Sequence, residues 1–185
     1  MESKKDKFPR TGRIGRFVNI LEKEVSKEVM MKILKNSDKY KTFNQSKKAE
    51  WWKDTIISME NEIGHEKTKV ILCKCGQKCC GQGHRKTVRK KFEESKSIEE
   101  FLEKISIKDV TYELFDKNTI IAEYQRCFCG NVKNAKTTFP NLTYCRCGTE
   151  FNRQYFSSAF DKPVEAELIQ SVINGSDSCK YVIHI

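Results

Sequence analysis

Apolar residues recur at helical spacing through roughly the first hundred positions of the chain and at strand spacing after that. From Phe17 to about Leu34, the residues Val18, Leu21, Val25, Val29 and Met30 step by three or four, which predicts a helix. Residues 35–47 are polar and read as a connection. Ala49, Trp52, Ile56, Met59 and Ile63 then form a stripe for a second helix, with Gly64 where it should stop. A third helix is expected from Glu66 through Ile71 and Leu72 into a run of cysteines, broken or bent by Gly-Gln-Gly-His at 81–84. Ser97 followed by Glu100 has the spacing of a capping box, and Ile98, Phe101, Leu102 and Ile105 supply the apolar face of a short helix behind it.

Past residue 107 the period becomes two. Val110, Tyr112 and Leu114 alternate with Asp109, Thr111 and Glu113, and Asp116-Lys-Asn makes a turn before Thr-Ile-Ile-Ala-Glu-Tyr. This predicts a hairpin that leads into Cys127. Residues 143–147 read as another strand, followed by a helix carrying Phe151, Tyr155 and Phe156 that Pro163 ends. Val164, Ala166 and Leu168 alternate along a further strand. Asn174-Gly175 signals a hairpin turn, and Cys179, Tyr181, Ile183 and Ile185 face one way on the last strand. The order predicts an α+β fold, with N-terminal helices packed on a mostly antiparallel sheet that has one helix inserted. The expected organisation is a mobile basic arm at 1–16, a helical part at 17–106 and a sheet part with the cysteine site at 107–185. Residues 17–185 together would make one compact domain.

Composition narrows the class. The chain has 185 residues, 38% hydrophobic and 32% charged, enough for one domain with a real core. No run of 18 apolar residues is present, and the N-terminus lacks the apolar stretch of a secretory signal, so a cytoplasmic protein without a membrane span is expected. Lys and Arg outnumber Asp and Glu by 35 to 25, for a net charge of +10. The basic residues are mixed with acidic ones along the whole chain, which argues against a nucleic-acid partner and leaves room for an anionic ligand.

Nine cysteines carry the candidate chemistry, and they fall into two groups and a singleton. Their odd number without a signal peptide argues for reduced thiols rather than a disulfide framework. Cys127-Phe-Cys129 and Cys145-Arg-Cys147 are matched pairs, each followed by Gly. On a strand, residues i and i+2 share a face, so each pair could present two thiolates to one ion, and four thiolates suit zinc. The alternative is four small buried hydrophobes. The first group is Cys73, Cys75, Cys79 and Cys80; Cys75 and Cys79 are four apart and share a helical face, as Cys80 and His84 would if the helix continued. Gly76 inside it hints at close packing or a bend. This group could be a second ligand set, a redox pair, a nucleophile with a histidine, or a core helix lined by small residues. Cys75, Cys79 and His84 are accordingly the catalytic candidates. Cys179 alone is an ordinary inward-facing strand residue, and surface positions account for His65 and His184. Gly12 and Gly15 lack the preceding strand that a phosphate-cradling loop needs.

The stretch Cys-Gly-Gln-Lys-Cys-Cys-Gly-Gln-Gly-His, then Ser-Lys-Ser-Ile-Glu-Glu-Phe-Leu-Glu-Lys, Cys-Phe-Cys-Gly, Tyr-Cys-Arg-Cys and the C-terminal run from Phe160 to Ile185 together resemble a family of uncharacterised prokaryotic cytosolic proteins. That family is grouped as a domain of unknown function and is often named by similarity to L-2-amino-thiazoline-4-carboxylic acid hydrolase. The C-terminal stretch also resembles the 4-vinyl reductase domain and hydrocarbon-sensing domains, through a Pro-Val strand, a turn with Gly and a closing Cys. This second resemblance implies helices over an antiparallel sheet, a small-molecule pocket and a zinc site beside it. Cys145 and Cys179 match the outer cysteines of that site, its inner cysteine falls on Ser171, and its acidic position falls near Leu168. Cys127, Cys129 or Cys147 would then have to complete the ligand set. The expected function is therefore binding of a small molecule beside a zinc site built from Cys127, Cys129, Cys145, Cys147 and Cys179. The alternatives are a metal- or thiol-dependent hydrolase of a small heterocycle and a thiol redox-responsive protein. The expected partners are the small-molecule ligand and a second copy of the chain in a homodimer.

Overall fold

The structure, a computed structural model, describes residues 8–185. Residues 1–7 of the expected arm lie outside the described residues. Its other half is not an arm, because helix α1 (Gly12–Glu24) begins there and buries Ile14, Phe17, Val18 and Leu21 along one stripe. Gly15 is required at its start, since a Cβ there would stand 2.3 Å from the carbonyl carbon of Arg10.

The single helix expected over 17–34 is two. The chain turns extended at Val25, and Ser26 accepts a hydrogen bond from the Val29 amide at 3.3 Å, capping α2 (Lys27–Ile33). A short 3-10 turn at Ser37–Thr42 follows, and Asn44 caps α3 (Gln45–Ile63) by accepting from the Lys47 amide at 2.9 Å. Ala49, Trp52, Ile56 and Met59 are buried as their spacing required, and Gly64, at φ +78°, separates α3 from α4 (His65–Cys79). The break comes at Cys80–Gly81, before α5 (Gln82–Glu93). In α6 (Ile98–Ile105) Ser97 accepts from the Glu100 amide at 3.2 Å, while the Glu100 carboxylate reaches back to the Lys96 amide at 2.7 Å.

Strands β1 (Val110–Asp116), β2 (Thr119–Tyr124), β3 (Glu165–Gln170) and β4 (Cys179–His184) form one antiparallel sheet in the order β1-β2-β4-β3. Helix α7 (Arg146–Phe160) is inserted between β2 and β3, so the fold is α+β. The strand expected at 143–147 is instead a helical turn at Thr143–Cys145 that runs straight into α7. Asn141 sets it by accepting from the Thr143 amide at 2.9 Å, and the Cys145 amide bonds the Leu142 carbonyl at 3.0 Å. The turn at Asn174-Gly175 is present, with Gly175 at φ +97°, but it closes a 3-10 turn within the longer 171–178 link rather than a two-residue hairpin.

Two apolar cores result. One gathers α1 to α4 with Val132, Phe139 and Tyr144, centred on Phe17, Trp52 and Met59. The other packs Val88, Phe101, Phe156 and Ala159 onto the sheet face carrying Ile120, Ala122, Tyr181 and Ile183. Cys75, Cys127, Cys129 and Cys145 pack against the first core, and Cys179 belongs to the second. The thiols therefore collect where the two cores meet.

Candidate functional site

Helices α4 and α7 pack closely across this junction, and Gly76 makes that approach feasible. A Cβ on Gly76 would lie 2.4 Å from the Cys147 carbonyl oxygen and 2.8 Å from Glu150 Cβ. The close packing expected of this glycine is what the structure contains. It brings the α4 face that carries Cys75 and Cys79 against the start of α7.

The two Cys-x-Cys pairs do not lie on strands. Cys127 and Cys129 sit in the loop after β2, where the Cys129 carbonyl accepts from the Val132 and Lys133 amides at 3.0 and 2.9 Å. Cys145 is the N-cap of α7 and Cys147 lies in its first turn. Two residues on a helix are rotated by roughly 200° rather than sharing a face. Cys145 accordingly turns towards β4 and the 171–178 link, while Cys147 turns towards α4.

On the β4 side, Ser171 Oγ lies 3.2 Å from Cys145 Sγ and 3.6 Å from Cys179 Sγ, and the Val172 amide approaches Cys179 Sγ at 3.4 Å. Cys145, Ser171 and Cys179 thus meet in space, with a hydroxyl between the two thiols. Burial pushes the Cys145 thiol up to about 12, against the Ser171 hydrogen bond that lowers it and with the help of Cys179, Cys127 and Cys129 nearby. Burial likewise pushes Cys127 up to about 11, with Cys129 and Cys179 adding to it.

Between the two sides lies a cavity of about 320 Å³ whose walls include six cysteines: Cys79, Cys127, Cys129, Cys145, Cys147 and Cys179. Its remaining lining is largely aromatic, from Tyr124, Phe128, Tyr144, Phe151 and Tyr181. Polar anchors are few. Tyr124 donates to Asn152 Oδ1 at 2.8 Å, and Asn152 donates to the Gly148 carbonyl at 3.1 Å. Tyr144 Oη stands 3.1 Å from Cys129 Sγ, and Arg13 Nη1 lies 4.0 Å from the same sulfur. Gly148 leaves room for Tyr181, whose hydroxyl would be 2.6 Å from a Cβ there. The volume and the apolar walls with few directed polar groups suit a small organic ligand.

Residues 15–185 match a family of unknown function, DUF6144. The chain belongs to it. No curated protein and no solved structure matches. The DUF6144 match covers every cysteine and all of the site's lining except Arg13.

Of the expected metal residues, Cys127, Cys129, Cys145, Cys147 and Cys179 all reach the cavity of this DUF6144 chain. Among the described residues, however, no three His, Cys, Asp or Glu side chains are grouped so as to hold a metal ion. Among the catalytic candidates, Cys79 and His84 line the cavity, with the His84 ring edge-on to Phe151 at 5.4 Å, and Cys75 lies behind them. Cys80 is buried away from the cavity, and the break at Gly81 separates it from the helical face of His84. His65 is exposed as expected, and its Nδ1 lies 2.7 Å from Glu60 Oε1 and 3.3 Å from Thr143 Oγ1. Sequence reasoning missed Arg13 and Arg16, whose i, i+3 spacing on an apolar-striped segment was the available signal. It also missed Tyr144 and Asn152, for which the sequence holds no signal beyond residue type, and Tyr181, whose signal was its shared strand face with Cys179.

Proposed function

We propose that this protein binds a small, largely apolar molecule in the thiol-lined cavity and holds a zinc ion at the cavity wall through Cys127, Cys145 and Cys179. The carrying observation is the convergence of Cys145, Ser171 and Cys179 beside a cavity of about 320 Å³. Cysteine sulfurs are soft donors that suit zinc, and the ion would have to displace the protons that burial favours on Cys145 and Cys127. The hydroxyl of Ser171 and the side chain of Leu168 remove half of the ligand set implied by the likeness to hydrocarbon-sensing domains. Cys127 and Cys129 both lie near enough to influence Cys145, and Cys127 feels Cys179 in turn. Three sulfurs would leave one position facing the pocket.

Elemental analysis and thermal-shift screening of aromatic and heterocyclic compounds test this reading. A bound zinc lost in Cys145→Ser/Cys179→Ser, with a compound that raises Tm, supports it. A ligand at a hundred times its Kd should add about 2.7 kcal/mol. A zinc content unchanged in that double variant would overturn the assignment of the metal.

A second reading, a hydrolase of a small heterocyclic ring as the likeness to thiazoline-carboxylate hydrolases suggests, is favoured by Cys79 and His84 sharing the cavity. Hydrolysis abolished by Cys79→Ser with ligand binding intact would select it. Turnover unaffected by Cys79→Ser or His84→Gln would remove those residues from catalysis.

A further inference from the structure

The wall of the ligand cavity is lopsided in charge. Among the described residues that line it, none is Asp, Glu or Lys, and Arg13 alone carries a permanent charge. Arg13 stands in the first turn of α1, which the buried stripe of Ile14, Phe17 and Val18 fixes to the core. Its Nη1 lies 4.0 Å from Cys129 Sγ and would be 3.6 Å from a Cβ on Gly130, so the guanidinium rests against the loop after β2. Three residues earlier, Arg10 engages the Glu22 carboxylate with both of its terminal nitrogens, at 2.6 and 3.0 Å. Arg13 is exposed, and among the described residues no carboxylate pairs with it. Other polar groups of the wall are already engaged, since Tyr124 donates to Asn152, Asn152 to the Gly148 carbonyl, and Tyr144 Oη lies 3.1 Å from Cys129 Sγ.

We propose that the molecule bound in this cavity is an aromatic monocarboxylate, its ring among Tyr124, Phe128, Tyr144, Phe151 and Tyr181 and its carboxylate on the Arg13 guanidinium. This inference rests on the ligand-cavity part of the function proposed above and not on its metal. The aromatic walls offer edge-to-face and offset contacts to a ring. A guanidinium presents two parallel N–H donors in the geometry of a carboxylate, and one such group balances one negative charge. An ammonium ligand would meet no carboxylate in the described wall and would face Arg13. A phosphate ester, with nearly two charges, would be left half neutralised. The net charge of +10 favours the approach of an anion. Because Arg13 is exposed, water competes for it, and the carboxylate gains about tenfold in Kd, the low end for charge-assisted hydrogen bonds.

The test is calorimetric titration of the full chain, purified under reducing conditions, with benzoate, 3-phenylpropanoate and 2-naphthoate, each beside its neutral amide and its amine counterpart. At least one acid should bind about tenfold more tightly than its amide, with the amine weakest. Arg13→Gln should remove the preference for the acid and leave the affinity for the amide unchanged, which also shows that the variant is folded. Arg16→Gln should keep the preference, because Arg16 lines a neighbouring cavity of about 50 Å³ and not this one. Amides or amines that bind as tightly as the acids would overturn the inference and leave the ligand cavity standing. So would a preference that survives Arg13→Gln, or one that Arg16→Gln removes equally. Binding by none of these compounds would overturn the ligand-cavity reading and this one with it. Should Arg13→Gln fail to fold, the salt dependence of the wild-type chain decides. The affinity for the acid, and not for the amide, should fall as salt rises, and a difference that salt leaves unchanged overturns the pairing with a guanidinium.

Discussion

Replacing Gly76 by Ala sets two opposed effects against each other, and the structure decides between them. On an exposed helix the substitution would stabilise by about 1 kcal/mol through propensity alone. Here the new methyl would meet the Cys147 carbonyl oxygen at 2.4 Å, Glu150 Cβ at 2.8 Å and Cys147 Cα at 3.0 Å. Two of those atoms are backbone and the third is the rigid root of a side chain, so the helices must separate. Overpacking of this kind costs roughly 1–3 kcal/mol, and contact with backbone on the facing helix places it at the upper end. The net expectation is a loss of about 2 kcal/mol, or roughly 4–8 °C in Tm for a chain of this size. Gly83→Ala is the matched control, because Gly83 lies in the first turn of α5 and a Cβ there has nothing within 4 Å. It should be neutral to stabilising by up to about 1 kcal/mol. Urea unfolding of both variants measures the difference, read as a shift in midpoint at unchanged slope. A Gly76→Ala protein as stable as wild type would refute the close packing of α4 on α7, and with it the route that brings Cys75 and Cys79 to Cys147.

Ser171→Cys places a third thiol between Cys145 and Cys179, whose sulfurs lie 3.2 and 3.6 Å from the present hydroxyl. Zinc affinity at the ligand-cavity site, measured by chelator competition, should rise roughly tenfold, about 1.4 kcal/mol, and no change would argue against metal binding there. Tyr124→Phe removes the donor to Asn152 Oδ1 inside the cavity wall and should cost roughly 1–3 kcal/mol in urea unfolding, with a loss near zero contradicting that bond's role. Burial raises the Glu60 carboxyl, but hydrogen bonds from Thr143, His65 and Asn141 outweigh it and hold its pKa below 4.5. The folded state therefore binds this proton less readily than the unfolded chain, so the contribution of Glu60 is complete above pH 4.5 and disappears as pH falls through its lowered value. The stability difference between wild type and Glu60→Gln should be constant near neutral pH and shrink on acidification, and a difference that grew instead would contradict the assignment.

Those elements whose pattern repeats over several turns were legible. The stripe of Ala49, Trp52, Ile56 and Met59, the Ser97–Glu100 cap and the β1–β2 hairpin are local consistencies that tertiary packing reinforces. Residues 143–147 were not legible, because alternation over five residues is too short to separate a strand from a helix start. The deciding bond, from Asn141 to the Thr143 amide, sits within a cluster in which Asn141 and Thr143 also bind Glu60 of α3, more than eighty residues away. That misreading carried over to the site. A strand would have aimed each cysteine pair at one ion, whereas the helix start sends Cys145 and Cys147 to opposite sides. The break inside 17–34 has a similar origin, since the Ser26 cap is a local signal hidden within a periodic apolar run.

The placement of the arginines ties the chain's charge to this divided site. A net charge of +10 spread along the sequence shows no patch, yet helical phase brings Arg13 and Arg16 onto the α1 face that meets the thiols. Burial pushes the Cys75 thiol up to about 12, with Cys79 adding to it and Arg16 offsetting part of it. Buried sulfurs with no cation beside them would favour a permanently neutral, merely hydrophobic cluster. Arg13 and Arg16 are exposed, and their guanidiniums beside these sulfurs lower the cost of a thiolate there. The same argument separates the two thiol groups in kind. A cavity of about 50 Å³ has both arginines in its wall, whereas the cavity of about 320 Å³ has Arg13 without Arg16. Cys145 and Cys179 instead border an aromatic space large enough for a second molecule, and their polar neighbours there are neutral, the Ser171 hydroxyl between them and the Val172 amide on Cys179.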